Sequence, residues 1–296
     1  MSVRESALGM PELPSEGQLP PEPQVYDSAV RIPPLVGELR NMWEYRRLIR
    51  LLVTRDVLLR YKRSLLGVWW TLLNPLLTTA VLWLVFSGLF HFRIGGGGVP
   101  FVVYLLSGVI VVLCFQQAVE AVATSIVLNY AVLTKVYVPP EVFSVSAGLA
   151  AAVNLGLGTI PLVLLQLAMG VGIPWTVVLL PLPVVALLAF TIGAGLVVAS
   201  IAVRFPDMLD FNRVILVIIG YMTPTFYPLS IVPRGFRHVI EANPVFHDLV
   251  FFRGLVYEGV LPSWQTCVWA FGSGFVALAA GLWLFARSWR TAVVMM

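Results

Sequence analysis

The sequence predicts an all-α membrane protein. It has six transmembrane helices, an amphipathic interface helix ahead of the first, and short re-entrant half-helices on the outer side. Three observations predict this. The 296 residues are 59% hydrophobic and only 11% charged, against about 25% charge in a soluble domain, and mean hydropathy is +0.90. Charge-free runs have the length of bilayer spans. A basic amphipathic stretch stands directly before the first of them.

Residues 1–40 are rich in Pro, Glu and Ser and carry no apolar run. That composition predicts a disordered cytosolic tail without a cleavable signal peptide. Residues 41–64 form the interface helix. Tyr45, Leu48, Ile49 and Leu52 recur at helical spacing, with Arg46, Arg47 and Arg50 opposite, the pattern of a helix lying on an anionic membrane surface. The same face suits a docked partner. Residues 65–290 hold the spans, each needing about 20 apolar residues. Leu65–Phe90 is the first, and His91–Pro100, with four successive glycines, is a loop. Phe101–Val119 is the second, with room to continue past Glu120. No charge occurs from Val142 to Val203, which is two spans, 143–169 and 175–200, turned at Gly170–Pro174. The fifth span is 210–230 and the sixth 264–286. Between them Pro224, Pro228, Pro233, Pro244 and Pro262 interrupt the helices, and broken helices inside a membrane line cavities or pack in protein. Residues 236–260 are read as the half-helices, a candidate outer gate.

Six spans put both termini on one side. With the N-terminus inside, inner segments hold fifteen Lys and Arg and outer segments four, so both termini are expected in the cytosol. Trp69, Trp70, Trp175, Trp264 and Trp289 stand near span ends, as interfacial anchors do.

Catalytic motifs are not evident. Lys62 and Lys135, the two lysines of the chain, follow Tyr61 and Thr134, so there is no Gly-Lys-Ser/Thr phosphate loop. Asp207 and Asp210 lie in a cytosolic turn and read as helix N-terminal partners rather than metal ligands. Cys114 and Cys267 sit in apolar runs and read as small hydrophobes. Glu120 is a carboxylate in the hydrophobic stretch of the second span, where it either faces a cavity or partner or marks the cytosolic end of that span. Tyr104, Phe115, Tyr221, Phe226 and Tyr227 offer apolar faces with polar tips, suited to sugar rings as well as to packing.

Five segments in order carry a resemblance. They are Arg55-Asp56 through Asn74-Pro75, Lys135-Val-Tyr137-Val-Pro139-Pro140-Glu141, Arg204-Phe-Pro-Asp207, Thr223-Pro224-Thr-Phe226-Tyr227-Pro228, and Asn243-Pro244 followed by Phe252-Arg253. Together, over residues 41–290, they resemble the permeases of type-2 ABC exporters, and most the branch that exports O-antigen, teichoic acid and related polymers on a lipid carrier. Pro140 stands where that family has a basic residue, and Thr223 where it has Ser. The resemblance implies a homodimeric pore in the bacterial inner membrane, with two copies of a separate P-loop ATPase below it. ATP and Mg would bind that partner, with no cofactor on this chain and no nucleic-acid partner. It implies ATPase contact through Arg55, Arg60, Lys135, Tyr137, Pro139 and Glu141. The substrate path is assigned to Tyr104, Phe115, Glu120, Tyr221, Phe226 and Tyr227, and the outer gate to Asn243, Pro244 and Arg253.

The expected function is export of a lipid-linked polysaccharide, with membrane lipid around the chain. The alternatives are a drug or lipid exporter of the same family, a membrane-embedded glycosyl- or acyltransferase, for which no catalytic carboxylate or histidine stands out, and a passive channel, for which no charge ring stands out.

Overall fold

The computed structural model describes residues 42–62, 67, 69–89, 99–129 and 138–294. The expected tail at 1–40, the loop at 91–98 and the segment 130–137 lie outside the described residues. Helix α1 (Arg46–Tyr61) follows a helical turn at 42–44. It packs Ile49 and Leu52 onto Val142 and Phe143, with Tyr45 and Leu48 at the edge of the same cluster. The expected stripe is therefore the buried one, and it meets the beginning of another helix.

Helix α2 (Trp69–Trp83) runs on into a π-helical turn at Leu84–Leu89. Helix α3 is Phe101–Leu128 and α4 is Glu141–Ala168. Gly170, at φ +73°, makes the turn that follows, a backbone state that glycine adopts without strain. A 3-10 turn at Trp175–Leu179 leads into α5 (Pro181–Ala202). Helix α6 is Met208–Met222, α7 is Arg234–Glu241, and α8 is Pro244–Arg253, extended by a π-turn at Gly254–Glu258. Helix α9 is Trp264–Val294.

Among the described residues, five helices are long and apolar enough to cross a membrane: Trp69–Gly88, Phe101–Leu128, Glu141–Ala168, Trp175–Ala202 and Trp264–Ser288. The second span takes the longer of its expected courses and runs on past Glu120, which pairs with Arg213 of α6. One expectation changes. The expected span at 210–230 is α6, only 15 residues, or about 22 Å against a hydrocarbon core of about 30 Å. Pro224 is the cause. It pushes the residue before it out of the helical region, and Thr223 is extended at ψ 129°.

Helices α3, α4 and α5 build the main core. Ile110 and Phe115 of α3, Leu155 and Leu162 of α4 and Leu187 of α5 share one buried cluster with Val245, Leu249 and Phe252 of α8. The short helix α8 is thus seated among the long ones. His247 stacks on Trp269 of α9 with ring centroids 5.3 Å apart and meets the Glu241 carbonyl at 2.7 Å. Helices α5 and α9 approach through small residues. A β-carbon at Gly193 would overlap the backbone of Ala277 and Leu278, and one at Gly281 would overlap the Gly193 carbonyl. Close backbone approach through small side chains is the usual packing device of membrane helices.

Candidate functional site

Arg253 ends α8 and is buried, 5% exposed. Its guanidinium donates to the Ser107 hydroxyl at 3.1 Å and to the carbonyls of Pro224 at 2.9 Å, Tyr104 at 3.0 Å and Thr225 at 3.3 Å. It also stacks 3.7 Å from the Tyr104 ring centroid, a favourable place for a cation. One side chain therefore joins α3, the non-helical stretch after α6, and α8. The planar fork of five donors makes this possible. Gly108 leaves room for it, since a β-carbon there would stand 2.8 Å from Nη2 of Arg253 and 2.8 Å from Cγ2 of Thr225. Asn243 caps α8, accepting from the Val245 amide at 3.1 Å and donating to the Thr223 hydroxyl at 2.9 Å. Pro244 holds the first helical position, where its missing N–H costs nothing.

The same break gathers aromatic rings. The Tyr104 hydroxyl donates to the carbonyls of Pro224 and Tyr227 at 3.1 and 2.9 Å. The Tyr227 hydroxyl folds back on the carbonyls of Tyr221 and Met222 at the end of α6. Phe226 lies 6.0 Å from both Tyr221 and Phe86 and 6.2 Å from Tyr227. Tyr221 is 67% exposed. Of the residues assigned to the path, Tyr104, Tyr221, Phe226 and Tyr227 come together here. Phe115 lies apart, buried in the core and stacked on Phe190. Glu120 lies sixteen residues beyond Tyr104 along α3, where it accepts from Arg213 at 2.9 Å and from Asn212 at 3.4 Å. Arg213 also pairs with Asp210 at 2.8 Å.

At the other end of α3, Arg55 of α1 donates to Asp56 at 2.9 Å and to the Asn129 side chain at 3.3 Å. The hydroxyls of Ser125 and Ser144 lie 2.9 Å apart and tie α3 to α4. Glu141 is the first residue of α4 and is 6% exposed, a favourable end of the helix dipole for a carboxylate. Pro139 is half-buried beside it. Lys135 and Tyr137 lie outside the described residues, as does the Arg60 side chain.

Residues 47–257 match the family described as "ABC-2 type transporter". The chain belongs to that family. Among curated relatives, it is 30% identical over 231 residues to "O-antigen export system permease protein RfbA" of Myxococcus xanthus, covering 77% of this chain and 87% of the relative. It is 24% identical to a protein of the same name from Klebsiella pneumoniae, over 80% of this chain and 90% of that one. It is 22% identical to "Capsule polysaccharide export inner-membrane protein CtrC" of Neisseria meningitidis serogroup A, over 84% and 94%.

In this ABC-2 type chain several site residues carried no motif signal. Ser107, Gly108, Asn129 and Phe86 serve the site only through contacts made across the fold. Arg213 was findable in principle, because a carboxylate inside a span asks for a cation. The Glu120–Arg213 pair holds α6 against α3, yet Arg213 is 60% exposed. Glu120→Gln should therefore lower thermal stability only slightly. The exchange Glu120→Arg with Arg213→Glu should recover most of that loss in thermal unfolding of the purified protein.

Proposed function

We propose that this chain is the transmembrane subunit of an ATP-driven exporter that carries a lipid-linked polysaccharide, of O-antigen or capsule type, across the inner membrane. The observation that carries the reading is that relatives named for O-antigen export and for capsule polysaccharide export align with 77–84% of the chain. The aromatic group of Tyr104, Tyr221, Phe226, Tyr227 and Phe86 supports it, since such rings suit the C–H faces of sugars.

Two copies form the path in this reading. The exposed apolar stripe of α6, through Phe211, Val214, Ile218 and Tyr221, offers a face for the second copy. A sixth crossing is supplied by α6 with the extended stretch after it. Arg213 meets Glu120 and Tyr227 meets Tyr104, so this segment runs antiparallel to α3 along sixteen of its residues, about 24 Å. The excess of inner Lys and Arg supports cytosolic termini. Two copies of a P-loop ATPase, holding ATP and Mg, would dock at Arg55, Arg60, Lys135, Tyr137, Pro139 and Glu141. Asn243, Pro244 and Arg253 form the outer gate, the Arg253 clasp being its closed form, and Glu120 and Phe115 flank the path in other states.

Purification of the chain from its native membrane in mild detergent tests the assembly. A stoichiometric ATPase with ATP hydrolysis is expected, and a chain that emerges alone and inactive would return the enzyme and channel readings. Glu141→Gln and Lys135→Ala should each leave ATP hydrolysis in place while surface polysaccharide falls. Full export by both variants would remove the coupling assignment.

A further inference from the structure

A cleft of about 530 Å³ opens between α1, α3 and α4, within the ~300–1,000 Å³ range of ligand sites. Asn154 joins it to a smaller cavity of about 180 Å³ walled by Trp70 and Asn74 of α2. Along α4 the two extend from Phe143 to Gly158, about 22 Å at helical rise. The mouth is polar and lies at the ends of the long helices, where Thr124, Asn129, Arg55 and Asp56 line it. The floor is apolar, with Ala147 and Ala150. A polar mouth over an apolar floor, alongside membrane-crossing helices, has the profile of a lipid with its head at the interface and its chains along the seam.

The charges at the mouth select the head group. Arg55 and Asp56 face each other at 2.9 Å, with side chains 39% and 31% exposed. Their mutual bonds and the bond to Asn129 use Nε and Nη2 of Arg55 and Oδ1 of Asp56. Nη1 and Oδ2 take no part in them. A cation and an anion side by side complement a head group that carries both signs. A diphosphate or a phosphoglycerol would meet Arg55 but would be repelled by Asp56.

We propose that this cleft binds one zwitterionic aminophospholipid, with its phosphate on Arg55 and its ammonium on Asp56. The lipid would fill the seam between the interface helix and the α3–α4 pair, so it would be a built-in component rather than cargo. The inference stands apart from the choice of exported polymer, and it makes Arg55 a lipid ligand at the edge of the surface where the proposed ATPase would dock.

The test is native mass spectrometry of the full-length chain in mild detergent, titrated separately with dioleoyl phosphatidylethanolamine, dioleoyl phosphatidylglycerol and undecaprenyl diphosphate. One phosphatidylethanolamine should be retained per chain, about fivefold more tightly than phosphatidylglycerol, the contribution of one half-exposed ion pair. Asp56→Asn should erase that preference while keeping a bound phospholipid. Ala147→Leu, which fills the floor and leaves the charges alone, should displace both. Equal binding of the two phospholipids by the unaltered chain would overturn the proposal. So would displacement of the bound phosphatidylethanolamine by undecaprenyl diphosphate, retention of phosphatidylethanolamine by Ala147→Leu, or an unchanged preference for it in Asp56→Asn. A failed export or ATPase assay would bear on the proposed function and leave this result standing.

Discussion

Arg253→Met should open the clasp that joins α3, the stretch after α6, and α8. The substitution keeps a long apolar side chain in place and removes four hydrogen bonds and a cation–ring contact. A bond to a charged group is worth about 1.5–3 kcal/mol, and part of the loss is recovered. Tyr104 still reaches the Pro224 carbonyl, and Ser107 still reaches the Tyr104 carbonyl. A net loss on the order of 4 kcal/mol is expected. The effect should be local in origin. Thr225 is 2% exposed in the intact protein, so a cysteine placed there should resist a membrane-impermeant maleimide. In the Arg253→Met background, with Cys267 replaced by Ser, it should label. Arg253→Lys should fall between the two, since a single ammonium cannot reach four acceptors spread over two segments. If Thr225→Cys stays unlabelled in Arg253→Met and surface polysaccharide is unchanged, Arg253 is not the clasp.

Gly193→Leu should be at least as damaging, for an opposite reason. Nothing polar is lost there, but α5 and α9 are forced apart. Even a β-carbon at Gly193 overlaps the Ala277 and Leu278 backbone, which cannot swing aside as a side chain can. Overpacking commonly costs about 1–3 kcal/mol, and with backbone on the far side the cost should reach or exceed the top of that range. The expected result is little protein in the membrane and early thermal unfolding of what remains. Gly272→Ala is the matched control in α9, with nothing within 4 Å of its β-carbon. It should be neutral or gain up to about 1 kcal/mol from helix propensity. Equal behaviour of the two variants would show that the α5–α9 contact does not limit stability.

The large features were legible because they follow from local rules. Hydropathy and length located α2, α3, α4, α5 and α9, since a backbone in hydrocarbon must satisfy its own hydrogen bonds and does so as a helix. The turn at Gly170 and the stripe of Tyr45, Leu48, Ile49 and Leu52 were readable for the same reason, as each depends on residues close in sequence. Pro224 was visible too, but its consequence was not. The run from 210 to 230 has the hydropathy of a span, and only the backbone shows that the helix stops at Met222.

Composition and order by themselves determined that this is a helical membrane protein with a basic amphipathic helix, apolar spans and a proline-broken region after α6. Only the tertiary structure decided which residues meet. It set Arg253 beneath Tyr104, 149 positions away, Arg213 against Glu120, 93 positions away, and Gly193 on the backbone of α9. The physical reason is that hydropathy constrains where a side chain can be in the bilayer, while hydrogen bonds and close packing depend on distances that only the assembled helices create.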